Sequence, residues 1–66
     1  MEHFPEVLRR LRKKNGLSAG ALAELCGLSR SVMSLYERGE VTPSAASLIA
    51  LADFFGCSTD YLLGRC

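Results

Sequence analysis

Apolar residues return along this chain at every third or fourth position, in short stretches that each close at a glycine. That spacing is the period of an α-helix with one buried side. In FPEVLRRLRKK the stripe is Phe4, Val7, Leu8 and Leu11, with Pro5 suited to a first turn, and it predicts a helix from about Pro5 to Lys14. Arg12 falls at the edge of the stripe, whereas Arg9 and Lys13 point away from it. Ser18 predicts the N-cap of a second helix that ends near Cys26 and buries Leu22, Ala23 and Cys26. A third helix starts after Ser29 and stops at Gly39. Thr42 or Ser44 caps a fourth, with Pro43 in its first turn and Leu48, Leu51, Ala52 and Phe55 along its inner side. Ser58 caps a last turn or two through Leu63, with Asp60 near the positive end of the dipole.

Glycines 16, 27, 39, 56 and 64 stand where helix C-terminal caps are expected. No segment alternates with the period of two that a strand requires, so the fold class is all-α with five helices. Connections this short leave no space for a flexible linker, and residues 1–66 read as a single domain. One connection carries more information than the rest. Gly27, Leu28 and Ser29 alone separate two short helices, which is the layout of a helix-turn-helix.

The third helix, within GLSRSVMSLYERG, divides sharply. Val32, Met33 and Tyr36 gather on one side, which is core, while Arg30, Ser31, Ser34 and Arg38 gather on the other. Small hydroxyls framed by two guanidinium groups suit a surface that meets a polar partner closely, but they equally describe a solvated face.

Composition narrows the classes without choosing among them. With 48% hydrophobic and 23% charged residues the chain is an ordinary globular one, too short for a large core. No apolar run nears the ~18 residues of a membrane span, and MEHFPEVLRR lacks the layout of a signal peptide, so a cytoplasmic location is expected. Cys26, Cys57 and Cys66 are odd in number and show no CxxC spacing, which argues against a disulfide framework and a zinc site; Cys26 reads as a small buried thiol. The single His3 sits at a solvated terminus, and the seven acids are scattered, so neither a catalytic nor a metal-binding constellation is present. No cofactor and no small-molecule ligand are implied. The net charge of +1 does not by itself announce nucleic acid, although RRLRKK holds five of the eight basic residues.

Taken in order, LRRLRKKNGLS, ALAELCGLSRSVMSLYERGEVTPS and LIALADFFGCSTDYLLG resemble the phage-repressor and Cro type of helix-turn-helix domain, the XRE-like family of transcriptional regulators. The likeness spans residues 7 to 64, nearly the whole chain. It implies a compact, five-helix, repressor-like DNA-binding domain that acts as a sequence-specific transcriptional regulator, usually a dimeric repressor, on a double-stranded operator. Helix 30–38 would then lie in the major groove, with base contacts from Arg30, Ser31 and Ser34. Leu35 falls between the polar and core sides, and either presses on a thymine methyl or packs beside Val32. Phosphates would meet Arg38 and two helix starts, at Ser18, Ala19 and Gly20 and again from Thr42 to Ser44. Many relatives carry glutamine where this chain has Ala19, so one side-chain clamp is missing.

The family also implies an ion pair between Arg12 and Glu37, which lie on matching flanks of the first and third helices. Arg12 would on that reading be structural. Phe54, Tyr61 and Leu63 form a candidate homodimer patch, or simply cap a small core. A reading of another class stays open: a protein-interaction or antitoxin-like module on the same fold, with DNA binding weak or secondary.

Overall fold

The computed structural model describes residues 3–65, which form five α-helices: α1 (Phe4–Lys14), α2 (Ala19–Cys26), α3 (Arg30–Arg38), α4 (Ala45–Phe55) and α5 (Thr59–Leu62). Local chemistry sets these boundaries. The hydroxyls of Ser18, Ser29, Ser44 and Ser58 each accept a hydrogen bond from the backbone N–H three residues on, at Ala21, Val32, Ser47 and Tyr61. A cap of this kind stabilises a helix by ~1 kcal/mol.

At the opposite ends, Gly27 and Gly39 take positive φ of 72° and 73°, a region that costs a side chain energy but costs glycine nothing. This lets the Leu28 and Glu40 N–H groups reach back to the carbonyls of Ala23 and Leu35. The chain therefore leaves α2 and enters α3 through a turn of three residues.

The sequence placed Pro43 inside the first turn of the fourth helix and left its cap open between Thr42 and Ser44. Ser44 takes the cap, so the helix begins at Ala45, and Pro43 lies buried just outside it. Val32 and Cys26 were expected in the core. Both are half-buried and pack against its margin, because α3 and α2 turn Met33 and Leu22 most directly inward.

The innermost side chains are Phe4, Leu8, Leu22, Met33, Leu51 and Leu62, which draw on all five helices. Each contributes about 1.5–3 kcal/mol of burial. Because α1 and α2 both pack on α3, that helix is supported from two directions. Among the described residues no helix is long and apolar enough to cross a membrane. Cys26 and Cys57 are free thiols, and burial pushes both above the usual thiol range. Cys66 lies outside the described residues.

Candidate nucleic-acid interface

Helix α3 is held by its inner side. Met33 is fully buried, and the Tyr36 ring meets Phe4 of α1 edge to face, with centroids 5.8 Å apart at 70°. Next to this aromatic contact, Glu37 is buried, and its carboxylate receives a fork of two hydrogen bonds from Arg12: Nε to Oε2 at 2.6 Å and Nη2 to Oε1 at 2.9 Å. The third arm of the same guanidinium, Nη1, donates to the Leu17 carbonyl oxygen at 2.9 Å. One side chain of α1 thus ties together the loop before α2 and the far end of α3.

The hydrogen bond to Glu37 raises Arg12 above its ordinary range, opposed by desolvation and aided by the carboxylate charge. An arginine keeps its charge at any ordinary pH, so Arg12 enters this contact as a cation.

Arg9 was expected to point away. Instead its Nη2 donates to the Glu37 backbone carbonyl at 2.6 Å, and its Nε lies 3.9 Å from the Glu37 carboxylate. The helical wheel gave the direction of its Cβ correctly, but a long arginine side chain travels sideways along the surface. It reaches a carbonyl in the last turn of α3, where a cation is favoured by the helix dipole.

On the outer side of α3, Arg30, Ser31 and Arg38 are exposed and Ser34 is half-buried. Leu35 is also half-buried, yet it is not among the apolar side chains that pack against the core. Arg30, Ser31, Ser34 and Leu35 thus share the side of α3 turned away from Met33 and Tyr36, with Arg30 reaching back over Gly20 of α2. Arg38 stands at the end of that helix, where its Nε donates to Glu40 Oε2 at 2.6 Å in an exposed ion pair.

The two helix starts differ in how they relate to the expected phosphate contacts. In α2 the Ser18 hydroxyl occupies the Ala21 N–H, which leaves the Ala19 and Gly20 amides without partners inside the helix. In α4 the same logic leaves the amides of Ala45 and Ala46, one step beyond Ser44, while Thr42 sits in the preceding loop. Sequence reasoning missed those two alanines because it had not decided which hydroxyl caps the helix.

Of the candidate dimer residues, Phe54 and Tyr61 are exposed, and Phe54 leans edge-on against Phe55 with centroids 5.1 Å apart. Leu63 packs against the core and offers less surface. Ile49 on α4 and Leu25 on α2 are exposed apolar residues that the sequence had not singled out. Among the described residues, no three His, Cys, Asp or Glu side chains are grouped as a metal site would require.

The family model described as helix-turn-helix matches residues 8–62. Repressor protein C2 of Salmonella phage P22 is 40% identical over 58 residues, covering 88% of this chain and 27% of that protein. The HTH-type transcriptional regulator AnsR of Bacillus subtilis is 43% identical over 58 residues, covering 88% of this chain and 50% of its own length. This chain therefore spans half or less of those two relatives. The crystal structure of the P22 c2 repressor in complex with a synthetic operator superposes with a TM-score of 0.89 at 36% identity, covering 96% of each chain.

Proposed function

Because the chain belongs to the helix-turn-helix family matched over residues 8–62, we propose that it is a sequence-specific DNA-binding transcriptional regulator, a repressor, that seats α3 in the major groove of an operator. The observation that carries this reading is the two-sidedness of α3. Its inner side is fixed to α1 through Tyr36 and Glu37, and its outer side presents Arg30, Ser31 and Ser34 to solvent. A major groove ~12 Å wide admits one helix ~10–12 Å across, provided that something holds the helix at a constant angle. The likeness to a repressor solved on operator DNA supports the same placement.

In this reading Arg30 donates two hydrogen bonds to guanine O6 and N7, Ser31 and Ser34 allow a close backbone approach, and Leu35 contacts a thymine methyl. Phosphates are held by the Ser18, Ala19 and Gly20 turn, by Arg38, and by the turn from Thr42 through Ser44 into Ala45 and Ala46. Residues 1–66 act as one such domain in the cytoplasm, with no catalytic role. Two copies meet through Phe54 and Tyr61, with Ile49 from the same pair of helices, and read half-sites about 34 Å apart.

The exposed Leu25, Ile49 and Phe54 favour a second reading as a protein-interaction or antitoxin-like module. Salt separates the two. A regulator making ~4–6 phosphate contacts per subunit loses affinity with a slope near −0.9 per contact, and an apolar partner surface does not.

The test is selection from a random duplex pool, followed by Arg30→Ala on the selected site. Loss of ~1–3 kcal/mol with relaxed preference at one base pair per half-site is expected. Equal weakening on every sequence would make Arg30 a phosphate contact, and no enrichment at all would overturn the regulator reading.

A further inference from the structure

Gly20 is the second residue of α2, a helical position with no demand for positive φ, and helix propensity alone would favour almost any other residue there. A reason for the glycine lies across the turn. A Cβ at Gly20 would sit 3.2 Å from Nε of Arg30, 3.5 Å from Cζ and 3.6 Å from Cδ. The Arg30 side chain thus lies along the bare backbone of α2. Gly20, Ala21, Glu24, Leu28 and Arg30 are among the residues lining an open cleft of about 590 Å³ between α2 and the start of α3, with Glu24 its one acidic side chain. The ion pairs of the described residues engage Arg9, Arg12 and Arg38, and Arg30 takes part in none of them.

We propose that Gly20 is a positioning residue for base recognition: its missing side chain forms the track on which Arg30 is laid before DNA arrives. The inference rests on the reading of α3 as the DNA-contacting helix and deepens it. An arginine free to explore its rotamers loses much of that freedom when its fork locks onto a base edge. One already confined against a neighbouring helix loses less. Contact along one side also narrows the heights and angles open to the guanidinium relative to α3, and bidentate pairing with a guanine tolerates little error in either. A methyl group at position 20 pushes the arginine outward by a few tenths of an ångström, and a branched side chain closes the track.

Two variants and two readouts test this. In the free protein, amide-detected NMR is expected to give a nuclear Overhauser contact between the Arg30 Nε–H and the Gly20 α-protons; its absence would overturn the seating. Binding to the selected operator and to a variant altered at the Arg30 base pair is then compared for wild type, Gly20→Ala and Gly20→Leu. Gly20→Leu is expected to lose about fivefold or more of the discrimination at that base pair, within the range a bidentate contact supplies. Gly20→Ala is expected to lose less and to melt at the same temperature or up to about 8 °C higher, which excludes misfolding as the cause. In an Arg30→Ala background neither change should alter discrimination further.

A Gly20→Leu protein that discriminates as wild type does, or that weakens equally on all sequences with or without Arg30, would overturn the positioning role while leaving the regulator reading intact. A wild type that discriminates nowhere would overturn both.

Discussion

Two arginine–glutamate pairs in this small protein share the same shortest distance, 2.6 Å, and differ in nearly everything else. Arg12 and Glu37 join two helices, with side chains 15% and 11% exposed. Arg38 and Glu40 lie two residues apart, 59% and 55% exposed. In the first pair the carboxylate also has Arg9 Nε 3.9 Å away and the guanidinium also holds the Leu17 carbonyl, so both charges have further partners. In the second, water competes for both groups. Distance alone therefore says little about what an ion pair does; the number of partners and the exclusion of solvent decide it.

The comparison breaks most visibly at Glu37. Arg12→Met and Glu37→Gln should each destabilise the fold by ~3–5 kcal/mol, because the remaining partner is stranded away from water. That corresponds to a fall in Tm of roughly 12 °C or more for a chain of this size. The double variant should lose clearly less than the sum of the two, and additive losses would show that the pair is not a unit.

Arg9→Ala sharpens the comparison from inside the first region. It removes one charged donor from the Glu37 carbonyl while leaving the Arg12 fork in place, so urea denaturation should report a loss of about 1 kcal/mol. A loss as large as that of Arg12→Met would mean that the Arg12–Glu37 pair depends on Arg9 for its geometry.

At the exposed pair the expectation reverses. Arg38→Ala and Glu40→Gln should each shift stability by less than ~0.5 kcal/mol, while DNA affinity moves in opposite directions. Loss of Arg38 should lower the salt slope by ~0.9, as for one phosphate contact removed. Glu40→Gln frees the guanidinium from its competitor and should tighten binding to all sequences alike. If stability changes and affinity does not, Arg38 is scaffold.

Features within one turn of helix were legible in the sequence. Ser18, Ser29 and Ser58 cap where a hydroxyl precedes an apolar period, and Gly27 and Gly39 close helices where a positive φ is needed. The two sides of α3 followed from angular spacing, apart from the shallow burial of Val32. What escaped depends on how helices cross. No wheel places the Glu37 carbonyl beside Arg9, since that contact joins residues 28 apart through the α1–α3 packing. Gly20 and Arg30 likewise meet only because the turn at Gly27 brings the start of α3 over the start of α2. Leu35 is ambiguous on the wheel, and in the fold it is half-buried without joining the core cluster.

The guanidinium of Arg12, with all three arms occupied, makes α3 a tool clamped in a socket. Every clamped group belongs to Glu37 or Leu17, and none to Arg30, Ser31 or Ser34. A library at those three positions, with proline and glycine left out, would therefore leave the Arg12 contacts in place, so new binding preferences could be sought without opening the socket.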